Sequence, residues 1–170
     1  MTPFAAFTKT IAGQGQPMAA MQALEHLALN SVGAKLFTLT TVEPGTGEAA
    51  RVYSNMPDAY PVSERKPADF SDWSRQVLGE RRTFVANTIE DIAAVFPDHP
   101  LIKSLGCESV INVPVEVNGA VVGTVNLLHR AGFYTSDKVA AAESLKLPAA
   151  LCFLLCAAQS AAQSTEIAHV

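Results

Sequence analysis

Residues 109–129 run SVINVPVEV (109–117), NG (118–119) and AVVGTVNLLH (120–129), and this stretch decides the fold. The dipeptide Asn118-Gly119 is typical of the two-residue turn that joins antiparallel strands, because both residues tolerate a positive φ. The flanking segments are apolar at odd and even positions alike, a pattern typical of strands covered on both faces. The stretch therefore predicts a hairpin inside an antiparallel sheet, with other elements packed on each side.

The register of this hairpin decides which of its side chains share a face. With a plain two-residue turn, Asn112 lies opposite Val125 and Asn126 points to the other face. With a bulge at Gly119, residue 112 faces residue 124, and Asn112, Thr124 and Asn126 share one face. A buried amide without a partner costs about 1–3 kcal/mol, so both asparagines need a ligand, a water molecule or a backbone group. The residues alone leave both registers open.

The segments around the hairpin alternate between helix and strand signals. Apolar spacing predicts a first helix over residues 17–30, and β-branched residues predict a second hairpin from residues 35–42 and 49–54. The remaining signals predict a proline-rich loop (55–67), a short helix around Trp73 (69–78), a strand (83–86), a small helix (88–96) and a last helix that starts after Thr135 and breaks at Pro148. This order predicts an α+β fold, with terminal helices on one face of the sheet and loops and short helices on the other.

Composition limits the class of protein. A chain of 170 residues suits one domain, and 49 % hydrophobic with 16 % charged residues excludes disorder and a coiled coil. So few charges favour a subunit that covers apolar surface against a partner. Twelve basic against sixteen acidic residues argue against a nucleic-acid ligand. We expect one domain over residues 16–158, an N-terminal extension (1–15) and a frayed tail (159–170).

Cysteine and histidine usage bears on location and cofactors. Three cysteines without a CxxC motif are typical of free thiols in a reducing compartment, and the N-terminus lacks the apolar run of a signal peptide. The longest apolar run, residues 149–158, is shorter than the roughly 20 residues that a bilayer requires. We therefore expect a cytoplasmic protein without membrane contact. The scattered histidines predict neither a metal site nor a cofactor: His26, His99, His129 and His169.

The sequence from Leu105 to Asp137 resembles the end of a GAF domain. The matching segments are SLGCESVINVPV (104–115), Asn118-Gly119, GTVNLL (123–128), and the F-xxx-D of Phe133 and Asp137 that opens the last helix. The order of elements resembles the family over about residues 18–155. The resemblance implies a sheet of about six antiparallel strands, terminal helices that often pair between subunits, and a small-molecule pocket between the sheet and the loop side.

The resemblance also separates ligand classes within the family. Cyclic-nucleotide-binding members carry N-K before the last helix and F-xxx-D-E at its start, whereas this chain has His129-Arg130 and Lys138 at the corresponding positions. Bilin-binding members resemble the loop 98–102, but no attachment cysteine stands beside His99. Neither ligand is favoured. Free methionine-sulfoxide reductases are single-domain members, and the resemblance offers Cys107 as their nucleophile, which would need a resolving cysteine within reach.

The bulged register, which the resemblance favours, places a candidate ligand site on the face of Asn112, Thr124 and Asn126. Opposite this face we expect the loop 55–67 and the short helix. The side chains expected to supply flat aromatic walls are Tyr53, Tyr60 and Trp73. The favoured function is a sensory domain that binds a small organic molecule, has no output domain of its own and signals through a separate protein.

We expect the sensor to act as a homodimer through its first and last helices. The interface residues expected from their apolar character are Met18, Met21 and Leu24 beside Leu151, Phe153, Leu154 and Leu155. Two alternatives stay open. One is a thiol-dependent reductase that uses Cys107 and requires an accessible thiol with a second sulfur in reach, and the other is a dimerisation module whose pocket is filled by Trp73 or its neighbours.

Overall fold

The computed structural model describes residues 1–167, with side chains described to residue 165. Its central element in that range is a five-stranded antiparallel sheet with the order β2-β1-β5-β4-β3. The strands are β1 (Leu36–Val42), β2 (Ala49–Ser54), β3 (Phe84–Ala86), β4 (Ser109–Val117) and β5 (Ala120–His129). The predicted hairpin is thus the pair β4–β5, and β1 completes a three-stranded centre.

The expectation of about six strands is one strand too high for the part of the chain that is described. Beyond the β2 edge, the loop adds a single bridge pair between Ala49 and Lys66. Pro61 and Pro67 stand on either side of this bridging segment, and proline has no N–H to donate to a ladder. The segment therefore touches the edge without becoming a strand.

Helices lie before, between and after the strands. Their bounds are α1 (Pro3–Ile11), α2 (Met18–Ser31), α3 (Asp72–Ser74), α4 (Ile89–Ala93), α5 (His99–Ser104), α6 (Ser136–Glu143) and α7 (Lys146–Ile167). A wide turn with π-helical hydrogen bonding, Arg75–Gly79, extends α3.

The two faces of the sheet carry separate apolar cores. The terminal helices α1, α2, α6 and α7 cover one face, where every second residue of the central strands is buried: Phe37, Leu39, Ile111, Val113, Val115, Val125 and Leu127. The short helices and the long loop cover the other face, against a smaller cluster: Leu36, Tyr60, Ala86, Ile92, Ile102, Cys107, Val110 and Leu128. Coverage of both faces explains why β4 and β5 lack polar alternation.

The N-terminal segment contains a helix that the sequence analysis assigned to an extension. Thr2 caps α1 by accepting a hydrogen bond from the Ala5 backbone N–H at 3.2 Å, and Pro3 occupies the first turn. Phe7 is only 2 % exposed and belongs to the helix-side core. The segment 1–15 is therefore packed against the domain.

The last helical region is interrupted, as Pro148 predicted, but the break precedes the proline. α6 ends at Glu143 and α7 begins at Lys146, so Pro148 lies in the first turn of α7, where its missing N–H has no partner to lose. The predicted tail continues as helix to Ile167 with exposed side chains through residue 165, and residues 168–170 lie outside the described residues. By length and composition, Lys146–Thr165 is apolar enough to cross a membrane, and 22 % of it is buried inside this domain.

Candidate functional site

A cavity of about 180 Å³ lies between the sheet and the loop layer. The sheet contributes its floor, the long loop contributes Tyr60, and α3 and the α4–α5 region contribute Trp73, Phe96 and Asp98. The side chains that line it are Leu36, Thr38, Thr40, Arg51, Tyr60, Trp73, Phe96, Asp98, Ile102, Val110, Asn112, Thr124, Asn126 and Leu128. Five of the six residues that the sequence predicted for a ligand site therefore meet at one cavity.

A chain of hydrogen bonds crosses the floor of this cavity. The Trp73 Nε1–H donates to Asn112 Oδ1 at 3.0 Å, and Asn112 Nδ2 donates to Asn126 Oδ1 at 2.8 Å. Asn126 Nδ2 in turn donates to the hydroxyl oxygens of Thr38 (3.2 Å) and Thr40 (3.3 Å). Each buried amide thus has side-chain partners, so neither asparagine requires a ligand in order to be satisfied. This series of hydrogen bonds fixes the position of Trp73 relative to the sheet.

The observed register combines features of both predicted alternatives. Asn118 and Gly119 both have positive φ values, 50° and 77°, as a plain two-residue turn requires. A bulge nevertheless occurs farther along, where Val115 pairs with Gly123 and Glu116 with Val121. Beyond that bulge, Asn112 faces Asn126, so the expected pairing of residue 112 with residue 124 is wrong. The shared face of Asn112, Thr124 and Asn126 is correct, because residues two apart on one strand point the same way.

A second bulge decides which residue of β2 reaches the cavity. Leu39 pairs with Tyr53, whereas the next residue, Thr40, pairs with Arg51, which leaves Val52 as the extra residue. Bulges of this kind re-aim side chains. Tyr53 consequently lies on the helix side, where its hydroxyl donates to Glu25 and its ring packs edge-on to Phe37. The expectation that Tyr53 lines the pocket is therefore not met, and Arg51 lines it instead.

Arg51 is the cation of the cavity lining, and the sequence analysis did not select it. Its guanidinium carbon lies 4.8 Å from the centre of the Tyr60 ring, and Nη1 donates to the Pro61 carbonyl oxygen at 2.9 Å. Its Nε is buried and has no hydrogen-bond partner. Desolvation lowers the pKa of this guanidinium, while Tyr60 and Asp98 act in the opposite direction.

Tyr60 and Asp98 form a hydrogen-bonded pair at the cavity. The Tyr60 hydroxyl donates to Asp98 Oδ2. Burial raises the pKa of Tyr60 above its ordinary value, and the bond to the carboxylate raises it further, so the phenol keeps its proton at neutral pH. The Asp98 carboxylate therefore already has one donor from the protein.

Cys107 lies beneath the loop layer and is fully buried. Burial raises the pKa of its thiol, which is the main effect on this group. The other two cysteines lie on α7, and Cys152 belongs to the core on the opposite face of the sheet. The accessible thiol with a second sulfur in reach, which the reductase hypothesis requires, is not the arrangement of these three residues.

A larger groove lies away from this site, between the β1–β2 turn and the segment 68–81. Its volume is about 630 Å³, and small or exposed residues such as Gly45, Gly47, Ala68 and Phe70 form much of its lining. It includes neither the amide chain nor Arg51. We therefore place the candidate site in the smaller cavity, where buried polar groups and aromatic rings converge.

Comparison with known proteins agrees with this architecture. A family model described as GAF domain matches residues 19–152. The fold is similar to that of a GAF domain/HD domain protein from Geobacter sulfurreducens, with a TM-score of 0.65 and 13 % identity over 91 % of this chain and 98 % of the other. It is also similar to the GAF domain of a phosphoenolpyruvate-protein phosphotransferase from Coxiella burnetii, with a TM-score of 0.64 and 14 % identity over 95 % of each chain.

An enzyme is also among the similar structures. A type II free methionine-R-sulfoxide reductase from Thermoplasma acidophilum has a TM-score of 0.56 and 14 % identity over 89 % of this chain and 95 % of the other. Identities this low show a common fold and carry no residue roles. A search of curated proteins gave no significant match.

Proposed function

The chain belongs to the GAF domain family, a small-molecule-binding fold of sensory and regulatory proteins, and from this premise we propose that it binds a small organic molecule in the cavity beneath Trp73. One observation carries the proposal: about 180 Å³ of space in which aromatic and aliphatic walls face a row of threonine and asparagine side chains. Ligand sites combine apolar lining with a few placed polar groups in this way. A cavity of about 150 Å³ holds a molecule the size of benzene, so the ligand is compact.

A bound molecule would act on the loop layer through Trp73. This ring is tied to the sheet by its hydrogen bond to Asn112, and it packs edge-on to Phe96 with 6.1 Å between the ring centres. A ligand against both rings supports the segments 72–79 and 89–104 from below. Such support favours one arrangement of these segments over others, which is how a ligand shifts a conformational equilibrium.

We further propose that the protein acts as a homodimer through its terminal helices and passes its signal to a separate protein in the cytoplasm. Three residues assigned to the interface from sequence, Met21, Leu24 and Phe153, are buried in the domain's own core. Exposed apolar side chains nevertheless remain on α1, α2 and α7: Phe4, Met18, Leu147, Leu151 and Leu154. These residues support the dimer, because apolar surface of this kind is favourably covered by a partner.

Trp73 is the sole tryptophan, and it lines the cavity, so its fluorescence tests the binding proposal directly. We expect at least one compound of a metabolite panel to change the emission of Trp73 in a saturable manner and to raise the melting temperature. The matched variants are Thr40→Leu and Thr41→Leu. The first places a larger side chain in the cavity, and the second changes the next residue along β1, which does not line the cavity. Binding should be lost in the first variant and kept in the second.

Two outcomes would contradict the proposal. One is a panel in which no compound changes both the fluorescence and the melting temperature. The other is a compound that binds Thr40→Leu as tightly as the natural protein, since that compound must occupy a different place. Native mass spectrometry of the purified protein provides an independent check, because a copurified molecule would appear as a mass shift.

A further inference from the structure

Arg51 presents unused hydrogen-bonding capacity at the candidate site. A guanidinium carries five N–H donors, and the bond from Nη1 to Pro61 accounts for one of them. The Nε of Arg51 is the buried side-chain nitrogen without a partner in the described chain, and no bond from Nη2 is formed there. Nη2 and the second N–H of Nη1 therefore remain as donors, and a guanidinium binds a carboxylate with two parallel hydrogen bonds.

The surroundings of Arg51 do not neutralise it by direct pairing. The ion pairs of the described chain join other residues, and none places a carboxylate within 4.0 Å of an Arg51 nitrogen. Asp98 is the acidic residue of the cavity lining, and its Oδ2 accepts from Tyr60. The face of Tyr60 holds the guanidinium by a cation–π contact. Arg51 is thus half-buried, positioned on an aromatic ring and without an anionic partner.

The charge of the lining limits which anion fits. Arg51 and Asp98 are its charged residues, so the site carries one cation and one anion. A phosphate dianion needs several donors or cations, and Asp98 would repel it more strongly than a single negative charge. A planar monoanion matches the free edge of one guanidinium. The remaining walls are aromatic and aliphatic, which suits a compact apolar body behind the anionic group.

We propose that the ligand of this cavity is a compact monocarboxylate with an apolar body, and that the guanidinium of Arg51 binds its carboxylate. The inference rests on the proposed binding function and names the chemical class of the ligand. No carboxylate of the described chain forms an ion pair with the guanidinium of Arg51, which is half-buried. A carboxylate ligand supplies two charged oxygens as acceptors for this group, whereas the neutral amide of the same acid supplies one oxygen without charge.

The experiment compares acids with their amides in pairs: benzoate with benzamide, and isovalerate with isovaleramide. Trp73 fluorescence and calorimetry report binding at pH 7.5, where the acids are ionised. We expect at least one acid to bind ten-fold or more tightly than its amide. Arg51→Gln should abolish this preference, and Arg51→Lys, which keeps the charge but loses the planar edge, should reduce it. Arg65→Gln is the control, because Arg65 is exposed and pairs with Glu43 outside the cavity.

The possible results separate this inference from the binding proposal on which it rests. Amides that bind as tightly as their acids, or an acid preference that survives in a folded Arg51→Gln variant, would overturn the carboxylate inference and leave a ligand-binding cavity in place. If only neutral members of the wider panel bind, the carboxylate inference is likewise overturned and the binding proposal is kept. If no compound of any class binds, the proposed function fails and the inference fails with it. The melting curve of each variant confirms that it is folded.

Discussion

Cys107 is the residue on which the enzymatic alternative depends. Its thiol is fully buried, and burial raises its pKa, so little of it is the thiolate that reacts at neutral pH. Cys152 is equally buried, and burial raises its pKa to about 12. Cys156 is half-buried, and burial raises its pKa to about 11. Exposure therefore ranks Cys156 as the most accessible of the three thiols.

We predict that iodoacetamide at pH 7.5 modifies Cys107 and Cys152 far more slowly in the native protein than in guanidinium chloride. Cys156 should be the first cysteine modified, because it is the least buried. Peptide mass spectrometry at several times gives the rate for each residue. Modification of native Cys107 as fast as in the unfolded chain would contradict its burial. It would also revive the reductase alternative, which would then require consumption of a sulfoxide substrate that Cys107→Ser abolishes.

Residue-scale prediction from sequence succeeded where a pattern was regular and failed where a bulge broke it. Asn112 and Asn126 stood out because amides are costly in an apolar strand pair, and the structure brings them together. Arg51 and Tyr53 are two residues apart, so strand alternation assigns them to one face. The extra residue Val52 sends them to opposite faces. No turn or glycine marks this bulge, so the sequence offered no signal for it.

At the scale of elements, α1 shows what a segment outside the family match contributes. The match begins at residue 19, yet Phe7 is buried among residues of α2 and α7 in the helix-side core. The hydrogen-bonding signals for this helix were present in Thr2 and Pro3, which favour a cap and a first turn. The apolar spacing of residues 17–30 placed the first helix after this segment, which was therefore expected to be an extension. Phe7 and the partly buried Ile11 pack α1 against the helix-side core.

We predict that Phe7→Ala destabilises the domain by about 3 kcal/mol, since truncation of a buried phenylalanine removes apolar contacts and leaves a cavity. Phe70→Ala is the matched control, because Phe70 is 95 % exposed and lies outside the terminal helices. Its free energy of unfolding should change by less than about 0.5 kcal/mol. Urea unfolding at low micromolar concentration measures both. Equal effects of the two substitutions would mean that α1 does not pack as described.

The central hairpin and the helix break show which elements a sequence can predict. Asn118-Gly119 predicted the β4–β5 turn because few dipeptides accept two positive φ values, and the turn is present. Pro148 predicted an interruption in the last helical region. The structure has one at residues 144–145, between the end of α6 at Glu143 and the start of α7 at Lys146. The loop layer was harder to predict. Its short helices depend on contacts with the sheet rather than on their own sequence periodicity.

At the scale of the whole molecule, the exposed face of α7 is the main feature that the domain leaves without a partner. Leu147, Leu151 and Leu154 are 67 %, 38 % and 48 % exposed. Their spacing of i, i+4 and i+7 places them along one stripe of the helix. No charged residue occurs between Lys146 and Glu166. A second copy of this chain can cover such a stripe by helix-to-helix packing, which supports the dimer proposed above.

We predict that the protein sediments with twice the chain mass and that Leu151→Glu converts it to a monomer, because a buried charge in the interface lacks a partner. The control is Leu101→Glu, since Leu101 is 39 % exposed on α5, in the layer that covers the opposite face of the sheet. It should leave the dimer intact. Sedimentation equilibrium over a concentration series gives the dissociation constant of each variant. A natural protein that stays monomeric at high micromolar concentration would overturn the dimer. Flotation with phosphatidylcholine vesicles would then test whether α7, which has the length and hydropathy to cross a membrane, is covered by lipid instead.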